Sequence, residues 1–233
     1  MDEPRQRWRL VVHRGADAPP LPQRDLLEAW ETGLRASGLP IATSGGRLRL
    51  AFGAPLAVGM PAERELVDLI VTQRLPRATV RDLLAEALPS GHTLVDLFDV
   101  WLGAPALQGL VRTAVYRAEL SSPVGASLGA ELPGAVRLAE ACAGLIAAGE
   151  LPRSRVKGGG TVRYDLRPLL DLVRVRESGP PPILEIRTRF DPERGTGRPD
   201  EVLDALWQEM ELPTAAVPGV ALTRERLILD GEV

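Results

Sequence analysis

Residues Ile183 to Trp207, ILEIRTRFDPERGTGRPDEVLDALW, place a strand, a glycine-broken loop and a helix in immediate succession. Leu184, Ile186 and Phe190 alternate with Glu185, Arg187 and Arg189, the period-2 pattern of a half-buried strand. Pro199 suits the first helical position, and Asp200 and Glu201 suit the positive end of the helix dipole. Val202, Leu203, Leu206 and Met210 recur at helical spacing, so this helix buries one face. A glycine loop feeding a helix N-terminus can hold a phosphate. Here two carboxylates already occupy that end and would repel an anion, so the stretch reads as loop and cap.

The same two periods organise the rest of the chain. Strands are expected at Trp8–His13, Arg47–Phe52, Glu65–Thr72 and Thr93–Leu102. Helices are expected from Arg24 to Ser37, with Leu26, Leu27, Trp30 and Leu34 on one face, and from Thr79, read as an N-cap, to Leu88. That order, β-α-β-β-α-β, is the ferredoxin-like split βαβ unit, complete in about 100 residues. The weakly patterned stretch Gly103–Gly109 marks a boundary. Beyond it come a strand at Thr113–Leu120, a loop at Ser121–Pro133 and an apolar helix at Pro133–Ala148. Short strands follow at Arg153–Lys157 and Thr161–Leu166, around a hairpin tip at Gly158–Gly160. Then come strands at Asp171–Arg176 and Ile183–Phe190 joined by a turn at Gly179–Pro182, the Pro199 helix and a last strand, Ala221–Leu229. The expected fold is α+β: two tandem ferredoxin-like (βαββαβ) domains with antiparallel sheets, 1–103 and 110–233, the second with an extra hairpin.

Composition excludes several functions. Lys157 is the only lysine, and the formal net charge is −3, so the chain is not basic throughout. Its charge is uneven, however: Leu151–Arg198 carries 11 Lys/Arg against 6 Asp/Glu, which allows a local basic surface. Cys142 is the single cysteine and builds no disulfide framework, zinc knuckle or iron–sulfur set. The N-terminal MDEPRQRWR has no apolar core of a signal peptide, and no apolar run approaches bilayer-spanning length. The expectation is a soluble cytoplasmic protein that makes no membrane contact and needs no cofactor.

Four runs carry a resemblance: ELVDLIV (65–71), LVRTAVYRAEL (110–120), TVRYDLRPLL (161–170) and IRTR…GTGRPDEVLDAL (186–206). They resemble the radical SAM-linked domain of unknown function, a bacterial family encoded beside or fused to a radical SAM protein with a cobalamin-type domain. The resemblance covers nearly the whole chain, and DLRP and GTGRPDEVL are its most specific parts. It implies a radical SAM protein as partner and supplies no mechanism. Relatives tend to carry a Leu-Ser-His-Leu-Asp run where this chain has Leu21-Pro22-Gln23-Arg24-Asp25. They also carry a Gly-Phe-Asn-Pro segment followed by a lysine, where this chain has Ser44-Gly45-Gly46-Arg47. A family site built from those segments would be degraded here.

A radical SAM enzyme holds its cluster with three cysteine thiolates, so this chain can serve such an enzyme but cannot be one. His13 and His92 are the only histidines, and neither has a metal-ligand partner in sequence. His13 is either a general acid or base, as an endoribonuclease-like RNA-processing enzyme would use with arginines, or an exposed strand-end residue. No Ser-His-Asp set, P-loop or GxGxxG after a strand is present. Lys157 with Gly158–Gly160 has the composition of a phosphate cradle but the setting of a hairpin. The strongest hint is cross-strand. If Thr161–Arg167, Asp171–Arg176 and Ile183–Arg189 share one sheet, alternation gathers Arg163, Arg167, Arg174, Arg176, Arg187 and Arg189 on its open face. With Arg198 nearby, that face is the candidate surface for RNA or another anion. Asp165 and Glu185 temper it, and it has no aromatic platform for stacking bases. The expected function is a non-catalytic accessory subunit for a radical SAM enzyme, binding RNA through this face.

Overall fold

The computed structural model describes residues 3–122, 132–157, 159–179 and 181–232. Parts of the expected 121–133 loop, the 158–160 hairpin tip and the 179–182 turn thus lie outside the described residues. The chain is mixed α+β, and its strands pair mostly antiparallel. It divides into two compact units, Met1–Val111 with Arg224–Val233, and Arg112–Thr223. The last ten residues, placed with the second domain by sequence, therefore belong to the first unit.

In the first unit the chain runs β1 (Gln6–Arg14), α1 (Gln23–Ala36), β2 (Thr43–Ser44), β3 (Arg47–Leu48), β4 (Leu50–Phe52), β5 (Ala62–Val71), α2 (Arg77–Leu84), β6 (His92–Val100) and α3 (Leu107–Leu110). β1 lies between β5 and β6, antiparallel to both, and β4 pairs antiparallel with the far edge of β5. Trp8, Leu10 and Val12 of β1 and Val67, Leu69 and Val71 of β5 share one buried cluster with Leu26, Trp30 and Leu34 of α1. Alternation along the strands thus supplies one wall of the core and the helical stripe supplies the other. Gly33 lets α1 come close, because a Cβ there would meet the Ala87 carbonyl oxygen at 2.1 Å. Thr79 is not a cap: Pro76 precedes the helix, which begins at Arg77. A proline has no N–H to leave unpaired, so it serves at that end without a side-chain bond.

The second unit contains β7 (Val111–Ser121), α4 (Ala135–Ala147), β8 (Pro152–Lys157), β9 (Gly160–Asp165), β10 (Leu170–Glu177), β11 (Ile183–Asp191), β12 (Gly195–Thr196) and α5 (Pro199–Glu209), and β13 (Gly219–Leu229) begins in it. β11 pairs antiparallel with β10 on one side and β7 on the other, and β13 neighbours β7. β8 and β9 pair only with each other, as a separate hairpin. Arg163 therefore does not share a sheet with β10 and β11. Alternation reports which way a side chain points but not which strand lies alongside. Leu184, Ile186 and Thr188 face the core with Leu138, Cys142 and Leu145 of α4 and Val202 and Leu206 of α5. Among the described residues, no helix is long and apolar enough to cross a membrane.

Candidate functional site

On the face of the second unit's sheet away from these helices, Glu185 is the organising group. It pairs in register with Arg174 of β10 and Arg117 of β7. Its carboxylate accepts from Arg174 Nε at 2.9 Å and Nη2 at 2.6 Å, and from Arg187 Nε at 2.8 Å. Burial pushes the Glu185 carboxyl up, but the hydrogen bonds and charges of Arg174 and Arg187 outweigh it and hold the group below its ordinary value. Arg189 Nε donates to Asp171 at 3.0 Å, and Arg117 Nε to Glu119 at 2.9 Å. Each of these arginines turns one edge to a carboxylate, which fixes the direction of its fork. A bulge between Val175 and Glu177 interrupts the alternation at Arg176, which is exposed, and Glu177 lies opposite Ile183.

The structure therefore brings Arg174, Arg187 and Arg189 to one face, puts Arg176 at a bulge on the edge strand β10, and leaves the other three candidates elsewhere. Arg163 stands exposed on the β8–β9 hairpin. Arg167 closes the end of α4, donating to the Ile146 carbonyl from Nε at 3.1 Å and Nη2 at 2.7 Å and to the Leu170 carbonyl from Nη1 at 3.0 Å. Arg198 is the residue before α5. The two most specific stretches of the sequence thus have structural work. Asp165 accepts from the backbone N–H of Leu151 and Arg167, and Gly197 sits where a Cβ would meet the Leu169 carbonyl oxygen at 2.6 Å. They meet at Tyr164, over whose ring the Arg155 guanidinium lies at 4.3 Å. Burial, with Glu201 beside it, raises the Tyr164 phenol far above its ordinary value.

A second candidate, missed by sequence reasoning, lies in the first unit. Val12 and Arg14 of β1, Gln23, Leu26 and Trp30 of α1, Phe52, Ala54, Leu56, Glu65, Val67 and His92 line a narrow cleft of about 30 Å3, little more than a water's worth of room. Trp30 meets Phe52 edge-on at 5.6 Å and His92 at 6.0 Å. Glu65 is held by Arg224, whose Nε donates to Oε1 at 2.6 Å while Nη1 donates to the Pro55 carbonyl at 2.7 Å. Arg14 is only 3% exposed, and its hydrogen bond is a single one, from Nη2 to the Pro19 carbonyl at 3.2 Å. The signal was present in the strand alternation: Trp8, Leu10 and Val12 point inward, and Arg14 is the next residue of that series.

His13 is half-buried in β1 opposite Thr93. Burial pushes the Cys142 thiol up to about 11, so it is not a thiolate at neutral pH. No group of three or more His, Cys, Asp or Glu able to hold a metal occurs among the described residues.

The fold and these two sites define an α+β protein that offers a basic strand face and a lined cleft. Residues 7–198 match the family model described as "Uncharacterized protein conserved in bacteria (DUF2344)", and the chain belongs to that family. The match carries no link to radical SAM proteins. No curated protein matches the chain.

Proposed function

We propose that this protein is a non-catalytic binding subunit that serves a radical SAM enzyme and presents RNA on the β10–β11–β7 face. The partner comes from the resemblance described above. The ligand rests on one observation: the helix-free face carries Arg117, Arg174, Arg187 and Arg189 against Glu119, Glu185 and Asp171, with Arg176 and Glu177 at a bulge on its edge. Carboxylates orient the forks there. The fold reading supports such a module. The strand orders β6-β1-β5-β4 and β13-β7-β11-β10 support a ferredoxin-like reading of each unit, a fold that would leave one sheet face open.

Each phosphate neutralised on a single strand contributes about −0.7 to the slope of log affinity against log salt. Titrating a labelled single-stranded RNA at several salt concentrations should return a negative slope. Arg187→Ala should flatten it by about 0.7 and leave the RNA uncleaved. Affinity indifferent to salt would remove RNA from the reading. Failure to co-purify with the neighbouring radical SAM protein at low salt would remove the partner.

A further inference from the structure

β6 is the last strand of its sheet: β1 covers one edge and, among the described residues, no strand covers the other. An open edge presents a row of main-chain N–H and C=O groups, which proteins commonly blunt with lysine, proline or a very short strand. β6 is nine residues long, HTLVDLFDV, and contains neither residue. Its one irregularity is a bulge that makes Val95 an extra residue, and Asp96–Val100 keeps an unbroken register. Apolar side chains crowd the same edge. Val95 is 41% exposed, Phe98 46%, Trp101 78% and Leu102 40%. Trp101 is held in that position: its carbonyl accepts from the Ala104 N–H at 2.9 Å, and a Cβ at Gly103 would lie 2.7 Å from its ring. A ring already fixed in place loses little freedom when something covers it.

We infer that β6 pairs antiparallel with β6 of a second copy of this chain about a two-fold axis, joining the two sheets. The edge is self-complementary, because its apolar residues 95, 98 and 101 are spaced evenly about Phe98. A pair centred there sets Phe98 opposite Phe98 of the second copy and Val95 opposite Trp101. Asp96 then falls opposite Val100 and Asp99 opposite Leu97, so no carboxylate directly faces another. Both carboxylates are engaged within their own chain: Asp96 pairs with Arg77 and Arg81 of α2, and Asp99 accepts from Gln6 Nε2 at 2.8 Å. The edge therefore selects an apolar strand over a charged one, and its own copy supplies one. The four exposed side chains offer on the order of 400 Å2, about half of the ~800 Å2 that each partner buries in a standard interface, so a dissociation constant of about 10–100 µM is expected.

Sedimentation equilibrium of the full-length protein from about 1 to 500 µM should show a monomer–dimer equilibrium that stops at two chains. Phe98→Lys places an ammonium on the edge and should raise the dissociation constant at least about tenfold. Trp101→Ala, beyond the end of the strand, should weaken the dimer several-fold and decides the matter alone should Phe98→Lys not fold. Hydrogen exchange separates strand pairing from contact of side chains only: the Asp96–Val100 amides should exchange more slowly at high concentration than at low in wild type. The inference is overturned if wild type stays monomeric over that range, even if the edge then captures some other protein. It is equally overturned if the dimer survives these substitutions undiminished, or if exchange of the Asp96–Val100 amides does not change with concentration.

Discussion

His92 stands at the start of β6 with its ring edge-on to Trp30 and Nδ1 3.1 Å from the Ser90 carbonyl. Burial lowers its pKa below the usual 6.5, the Arg14 charge lowers it further, and the Ser90 carbonyl works against both. The unfolded chain therefore takes up this proton first as the pH falls, so stability drops below about 6.5 and levels off once the folded form is protonated as well. His92→Gln should lose less stability than wild type between about pH 7 and pH 5, measured by urea unfolding at each pH; equal losses would mean that the ring is not shielded. Arg14→Met should shrink the wild-type loss, because it removes one of the three depressing causes, the others being burial and the His13 charge. At this level the sequence was legible by half. Strand alternation put Arg14 on the inward face, but nothing local revealed that Glu65, 51 positions later, is taken by Arg224. His13 drew the eye because of its chemistry, and it pairs with Thr93 on a neighbouring strand.

Helices and strands were far more legible, because their signals are short-range. Pro199 followed by two carboxylates marked the start of α5, and α4 spans 135–147 within the expected 133–148. Long-range neighbours left no such trace. The β8–β9 hairpin has the alternation of a sheet strand yet pairs only with itself, and Arg167 looked like one more cation of a strand face. In fact Arg167 reaches back 21 residues to the Ile146 carbonyl, one of the last unpaired carbonyls of α4. Arg167→Ala should cost about 1–3 kcal/mol, since it strips charged donors from half-buried carbonyls. In a domain of this size that lowers the melting temperature by about 2–4 °C per kcal/mol. Arg167→Lys should recover less than half of the loss, because an ammonium cannot reproduce the fork that spans Ile146 and Leu170. A thermal scan of the two variants reads both effects, and an unchanged midpoint for Arg167→Ala would leave α4 without a need for this cap.

The chain leaves its first unit after Val111 and re-enters it at Arg224. The segment that re-enters is integral to the first unit. Arg224 runs beside Ala62 of β5 in parallel pairing, its N–H donates to the Pro61 carbonyl, and its guanidinium neutralises Glu65. Gly53 keeps room for the same strand, since a Cβ there would lie 2.7 Å from Leu227. A boundary read from composition at Gly103–Gly109 carries no sign of this return, which depends on a partner more than 150 positions away. The consequence is measurable. Arg224→Met alone should cost about 3–5 kcal/mol, because the largely buried Glu65 carboxylate loses its hydrogen-bonded partner and keeps only the weaker attraction of Arg14. Replacing both partners, Arg224→Met with Glu65→Leu, should recover part of that loss, since two apolar groups in the same space need no counter-charge while Arg14 loses the attraction of Glu65. Urea midpoints of wild type, both single variants and the double variant form the cycle. Additive losses would mean that the two side chains do not stabilise one another. Sub-additive losses would tie the C-terminal segment to the first unit through this ion pair, and a fragment ending at Leu110 should then show no cooperative unfolding.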